Sequence, residues 1–494
     1  MNMLLIFPIV LLSYAAMHAY MGVKLVRACP RLRPFSAWLL IVFTGLFAAP
    51  FLTRWFGNRG YPVLAALAGA AGYSWVAIVF WFFSIGLLLD AWNLAIRAAS
   101  LFSGGLARVR IPPRPAVLAN GAVILLAVAW GAIEARGLRV ETVILQTDRL
   151  PEGTRYRVVQ VSDLHLTARR GGRMLAKIGD AVRELKPDLL VSTGDLIDAP
   201  LRQLADQASA MAGWQARGGF FGVLGNHEYF TGLRESLAFH QAAGLRLLRA
   251  AAAEPLPGLW LAGVDDPAGW LTRQPHFADE RPLAAARPPD GFVILLKHQP
   301  LVSREAGAWS DLQLSGHTHG GQMFPFEWFL KPIYPWRRGL HDIAPGRRLY
   351  VSRGAGTWGP PLRLFARPEI TLIVLEGRAP ANPIAASREL RPPDPGTAGT
   401  LQPAQLSCGG HDPFGPVQAE QRVHVDDNMR RDAGPQPAAP PADHGENRET
   451  QRGYPEMHDP MQQAGNTKTQ EEQEPLPGAR WPVRQARHFD FRFR

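Results

Sequence analysis

Cysteine is nearly missing from this 494-residue chain: there are two, Cys29 and Cys408. One lies beside an apolar stretch and the other in a polar tail. A structural disulfide between them is not expected, and neither fits a zinc-ribbon spacing. So few thiols leave the redox compartment open. The middle of the chain also lacks a Lys/Arg block with interleaved aromatics. That argues against nucleic-acid binding despite a net charge of +11. Much of the charge is Arg in the loops between N-terminal apolar stretches, where the positive-inside rule accounts for it. The opening Met1-Asn2-Met3-Leu4 has no positive n-region, and no small-residue cleavage site follows, so a retained helix is expected rather than a signal peptide. Polar residues are scarce inside the apolar stretches, which favours a membrane anchor over a transporter.

What is present divides into three unlike segments. Residues 1–135 hold four apolar stretches of spanning length, at about 3–22, 37–53, 73–95 and 116–133, against the roughly 20 residues a bilayer core requires. Trp55, Trp75 and Trp92 fall near their ends, where an interfacial belt would put them. Asp90 reads as a residue at or near the interface. The first loop carries Lys24, Arg27, Arg31 and Arg33, and the third carries Arg97, Arg108, Arg110 and Arg114. The second has only Arg54 and Arg59. Loops one and three are therefore expected in the cytoplasm, with everything after the fourth helix outside, which is the periplasm in a two-membrane bacterium. Arg136 and Arg139 work against this asymmetry. The expectation is a multi-pass protein of the inner or cell membrane.

Residues 150–378 have the pattern of an α/β domain. Short runs rich in Val, Leu and Ile at 157–161, 189–192, 220–224, 259–264, 292–296, 312–314, 349–352 and 370–375 read as strands. Helical spacing at 174–185, 201–216 and 233–243 lies between several of them. Alternating strands and helices, then a run of strands, imply two packed sheets with helices outside. Beyond about residue 378 the periodicity stops. The segment 379–494 is rich in Pro, Gln, Asp and Glu and is expected to be disordered, because it buries too little apolar area to offset its ordering entropy.

Five short motifs follow strand-like runs: Asp163-Leu164-His165, Gly194-Asp195, Gly225-Asn226-His227-Glu228, Lys297-His298 and Gly316-His317-Thr318-His319. In extended chain, residues two apart point to one side, so Asp163 with His165, and His317 with His319, can each act as a pair. Asp195 has two carboxylate oxygens with which to bridge two cations. Asn226 offers a neutral oxygen. His227 could protonate a leaving group, with Glu228 orienting the ring. His298 alone would be read as a core histidine. Together the motifs offer seven ligands, Asp163, His165, Asp195, Asn226, His298, His317 and His319, enough for two adjacent divalent ions. Nitrogen with carboxylate and amide oxygen suits Mn, Fe or Zn. A two-metal site with such ligands hydrolyses phosphate esters. Lys297 and Arg353 are candidate phosphate-binding groups, with a surface or structural role weighing at least equally for each.

These strings resemble the calcineurin-like metallophosphoesterase family over about residues 155–376, above all in GNHE and SGHTHGGQ. The string YVSRGAGTWGPPLRLFARPEITLIVL is similar to the closing segment of a bacterial membrane-associated branch. The resemblance implies a β-sandwich flanked by helices. It implies one metal held by Asp163, His165, Asp195 and His319, and a second by Asp195, Asn226, His298 and His317, with Asp195 bridging. His227 would be the catalytic histidine. The implied activity is hydrolysis of a phosphodiester or pyrophosphate. Tethering to a bilayer favours a lipid-linked or envelope substrate. A phosphomonoesterase, a protein phosphatase, or a metal-binding sensor or scaffold without turnover are the rivals.

Overall fold

The structure, a computed structural model, describes residues 3–168, 171–304 and 308–379. The disordered tail expected at 379–494 lies outside the described residues from 380 onward. Four helices open the chain: α1 (Met3–Ala28), α2 (Ser36–Asn58), α3 (Pro62–Ala99) and α4 (Pro113–Glu134). All four are long and apolar enough to cross a membrane. Pro62 and Pro113 open α3 and α4, where a fixed φ is an asset and the missing N–H costs nothing. α3 extends well past the 73–95 expected, to 38 residues. That is about 57 Å at 1.5 Å per residue, more than a hydrocarbon core of about 30 Å needs. Its early turns pack closely on α2. A Cβ added at Gly72 would lie 2.7 Å from the backbone nitrogen of Pro50, so only glycine permits the approach. Asp90 on α3 is ion-paired with Lys24 of α1 and accepts a hydrogen bond from the Tyr20 hydroxyl at 2.7 Å. It clamps two helices together.

Two six-stranded sheets follow. The strands are β1 (Arg139–Thr147), β2 (Arg155–Val161), β3 (Leu189–Ser192), β4 (Phe220–Gly222), β5 (Arg246–Leu247), β6 (Ala251–Leu256), β7 (Leu259–Val264), β8 (Phe292–Lys297), β9 (Leu312–Ser315), β10 (Gly339–Ala344), β11 (Arg347–Val351) and β12 (Glu369–Gly377). One sheet runs β1-β12-β2-β3-β4-β5 and the other β10-β11-β9-β8-β7-β6. Helices α5 (Gly172–Leu185), α6 (Ala205–Ala212), α7 (Asn226–Thr231) and α8 (Leu233–Ala242) come between strands of the first sheet, and the short α9 (Arg281–Ala285) and α10 (Phe326–Leu330) between strands of the second.

Side-chain alternation builds the layers. On β2, Tyr156 and Val158 join Leu259, Ile294 and Leu314 of the second sheet in the core between sheets. Val159 and Val161 join Ile178, Val182 and Phe239 in the core beneath the helices. β2, β3, β4 and β5 run parallel to one another, as do β7, β8, β9 and β11. Their C-terminal ends therefore gather the five motifs on one face.

Four strands have no counterpart in the expectation: β1, β5, β6 and β10. All four carry charge or Pro that blurs a strand pattern. β6 reads AAAEPL, and its register shifts between Ala253 and Leu256, around Pro255. Edge strands tolerate this because one side needs no ladder partner. β1, N-terminal to the 150–378 segment, pairs in parallel with β12 along its whole length.

Candidate metal centre

Five of the motif residues have left-handed backbone: Asp163 (φ 54°), His165 (47°), Asp195 (53°), His317 (70°) and His319 (50°). The extended chain assumed for the Asp-x-His and His-x-His pairs is therefore not what delivers them. Tight left-handed turns at strand ends do. Such conformations cost of order 1–3 kcal/mol each and persist only where surroundings over-determine them. Consistent with these turns, His317 and His319 diverge to two different groups.

In the first group, His165 Nε2 and His319 Nε2 stand 3.0 Å apart, and Asp163 Oδ1 lies 3.5 Å from His319 Nε2. In the second, His298 Nε2 lies 3.1 Å from both Asn226 Oδ1 and His317 Nδ1, and Asn226 Oδ1 is 3.0 Å from His317 Nδ1. Asp195 joins the two. Its Oδ2 is 3.1 Å from His298 Nε2 and 3.9 Å from His165 Nε2. All eight residues singled out from the sequence are thus brought together, His227 included, which groups with His165 and Asp195.

The surrounding hydrogen bonds test whether cations fit. His298 Nδ1 donates to the Thr193 carbonyl at 2.7 Å, leaving a lone pair on Nε2. Asp266 accepts from the Gln299 amide at 2.8 Å, so Gln299 Oε1 accepts from Tyr334 at 3.0 Å. Tyr334 oxygen in turn accepts from His317 Nε2 at 2.9 Å, leaving a lone pair on Nδ1. Two imidazole nitrogens and an amide oxygen then face one another at about 3 Å, which is repulsive unless positive charge lies among them: the proton that Asp195 draws onto His298, raised well above its ordinary range, or a divalent ion that displaces it. In the first group, His165 Nδ1 donates to Asp198 Oδ1 at 3.1 Å, which again frees Nε2. The donor set of the chain therefore fits divalent ions.

The charges are as the packing demands. Burial alone would raise Asp195, yet His298 and His227 hold it well below the usual carboxylate range. Burial, reinforced by His298, pushes His317 down to about 3, so it is neutral and ready to ligate. For His227 burial opposes the charged form, but Asp195 and Asp198 outweigh it and raise the group to about 9. Its Nδ1 contacts Asp198 Oδ1 at 2.7 Å, so Nε2 is the atom left for a substrate.

Three expectations need correction. Glu228 does not orient His227. Its carboxylate accepts the backbone N–H groups of Asp195 (2.9 Å), Leu196 (2.7 Å) and Gly225 (2.8 Å), locking two motif loops together. Lys297 is ion-paired with Glu280 at 2.9 Å, and Arg353 is paired with Glu141 and Glu369. Both are structural ties rather than phosphate groups. Asp198, Gln299, Tyr334 and Arg363 were not singled out. The fully buried Arg363 guanidinium bonds to the carbonyls of Arg353 and Ala366 at 2.8 Å and stands 3.0 Å from His319 Nδ1. A second carboxylate three residues after Asp195 was the one available signal for Asp198.

The calcineurin-like phosphoesterase family description matches residues 156–321. A metallophosphoesterase of Aquifex aeolicus is 38% identical over 257 residues, covering 52% of this chain and 98% of the relative. A transmembrane protein with metallophosphoesterase domain of Danio rerio is 31% identical over 369 residues, covering 71% of this chain and 83% of the relative. Among solved structures, the calcineurin-like phosphoesterase YfkN from Bacillus subtilis aligns with 15% identity and a TM-score of 0.28, over 47% of this chain and 95% of that one.

Proposed function

This chain belongs to the calcineurin-like phosphoesterase family, and on that premise we propose that it hydrolyses a phosphodiester or pyrophosphate bond of a lipid-linked or envelope substrate with two divalent ions. It is a metal-dependent phosphoric ester hydrolase with four helices able to cross a membrane. Asp163, His165, Asp195 and His319 would hold one ion; Asp195, Asn226, His298 and His317 would hold the other. The carrying observation is the Asp195 carboxylate between both groups, 3.1 Å from His298 and 3.9 Å from His165. Mn, Fe or Zn suits these donors. Bound, such a pair neutralises phosphoryl charge and lowers the pKa of water.

The chain's own residues do the rest. Asp198 fixes the His227 ring through Nδ1, and Nε2 gives its proton to the departing ester oxygen. Burial of the ligand carboxylates keeps bulk water from screening them. Residues 1–135 serve as the anchor, and the 150–378 domain, extended by β1, as the catalytic unit. The positive-inside pattern of loops one and three favours a domain on the outer side. The contact of Arg54, at the α2–α3 end, with the Phe230 carbonyl puts that hairpin on the domain's side, as four spans require in either orientation.

The test is a hydrolysis panel on the detergent-solubilised full chain, with monoester, diester and pyrophosphate substrates and Mn, Fe or Zn. Asn226→Ala and His227→Ala are each expected to lower kcat/KM by about a hundredfold or more. Near wild-type turnover by His227→Ala would remove its proton-transfer role. Preference for monoesters would overturn the diester reading.

A further inference from the structure

We propose that the substrate carries a long hydrocarbon tail, is drawn from the bilayer, and is held with that tail along an aromatic rim beside His227 completed by the α2–α3 hairpin. This rests on the phosphoesterase reading above and names its substrate class. In the reaction the oxygen of water bonds to phosphorus, the ester P–O bond breaks, the leaving oxygen takes the His227 proton, and the proton shed by the water passes to solvent, from which His227 is reprotonated.

Helices α2 and α3 touch two segments that border His227. Arg54, near the end of α2, donates to the Phe230 carbonyl at 2.7 Å, and the Phe230 ring stands 5.4 Å from the His227 imidazole. Trp358 stands 6.4 Å from the same imidazole. Its neighbour Gly359 lies against α3, where an added Cβ would be 3.6 Å from the Tyr73 ring.

Large rings near these points are partly exposed. Phe51 and Trp55 on α2 are each 46% exposed, Phe230 is 36% exposed and Trp358 is 49% exposed. Bulky rings left bare around a polar metal centre mark a binding surface. Continuity decides the occupant. The apolar span containing α2 runs to Gly57, so membrane-facing surface extends to the turn that touches Phe230. A lipid tail can pass along it without entering water, whereas a soluble substrate would leave the rings wet. Charge agrees. Arg54 and Arg59 are both exposed at this end of α2, and Arg59 lies 4.3 Å over the Trp55 ring. Arg54 uses one donor on Phe230, and a guanidinium has five. Cations beside aromatics suit an anionic headgroup joined to a hydrocarbon.

The experiment uses the Mn-loaded full chain in detergent micelles and a series of p-nitrophenyl alkyl phosphates from ethyl to hexadecyl. Wild type is expected to favour the longest chain over the shortest by about tenfold or more in kcat/KM, chiefly through KM. Trp55→Ser and Trp358→Ser are expected to flatten that preference. Turnover without chain-length preference in wild type, or a preference kept in both variants, overturns the rim while leaving the phosphoesterase reading intact. No turnover of any member sinks the phosphodiester reading, and this proposal with it.

Discussion

One oxygen atom illustrates how the site depends on single residues. Asp198 Oδ1 meets His227 Nδ1 at 2.7 Å and His165 Nδ1 at 3.1 Å, joining His227 to a residue of the first group. His227 is raised to about 9 by Asp195 and Asp198 against the pull of burial. A histidine raised in the folded state adds stability that is full below its unfolded value near 6.5 and is lost as pH rises through about 9. For the metal-free chain this amounts to something on the order of 3 kcal/mol. In Asp198→Asn the His227 titration, followed by NMR of ring-labelled histidine in chelated protein, is expected to move down. A midpoint still near 9 would clear Asp198 of the role. With ions present, turnover should fall about 10–100-fold, as when a ligand's orienting partner is lost. Asp198 escaped the sequence because its partners are remote: His227 is 29 positions away. Glu228 invited the opposite error. It is adjacent to His227, but the start of α7 turns its carboxylate onto three backbone N–H groups.

Among elements, the loops after β2, β3 and β9 carry the strain and the chemistry together. At Gly316 two of these loops press closely together. A Cβ there would lie 2.1 Å from Ser162 Oγ and 2.2 Å from Asp163 Oδ2. Gly316→Ala is expected to leave a folded protein whose divalent-ion affinity is weaker by about tenfold or more, measured by calorimetric titration. Wild-type affinity would mean that the loop yields without cost. The buried strands were legible. β3 and β7 begin and end where their Val and Leu runs do, because strands covered on both faces must be apolar throughout. The edge strands β1, β6 and β10 were not, since half-exposed strands admit Arg, Glu, Asp and Pro. The motif residues were legible as types at strand ends. Their left-handed turns were not, because no side chain in Asp-x-His announces a positive φ.

For the whole molecule, the spans were legible from hydropathy, and their lengths were not: the early turns of α3, which pack on α2 at Gly72, lie outside the expected 73–95. If the seven candidate ligands bind ions only when folded, removal of metal lowers stability by mass action, about 3 kcal/mol for a site held at a hundred times its dissociation constant. A chelated sample of the full chain is expected to melt several degrees lower, on the order of 5 °C, and to recover with added Mn. An unchanged Tm after complete chelation would separate ion binding from folding. The junction between helices and sheets is equally short. α4 ends at Glu134 and β1 begins at Arg139, and β1 is then paired to β12 through Thr147. Four linking residues reach at most about 14 Å. On so brief a leash the phosphoesterase is confined to a layer hugging the lipid. Encounters in that layer are counted per area rather than per volume, so the crowding of a leaflet, not the dilution of the surrounding fluid, governs how often a bond comes within reach.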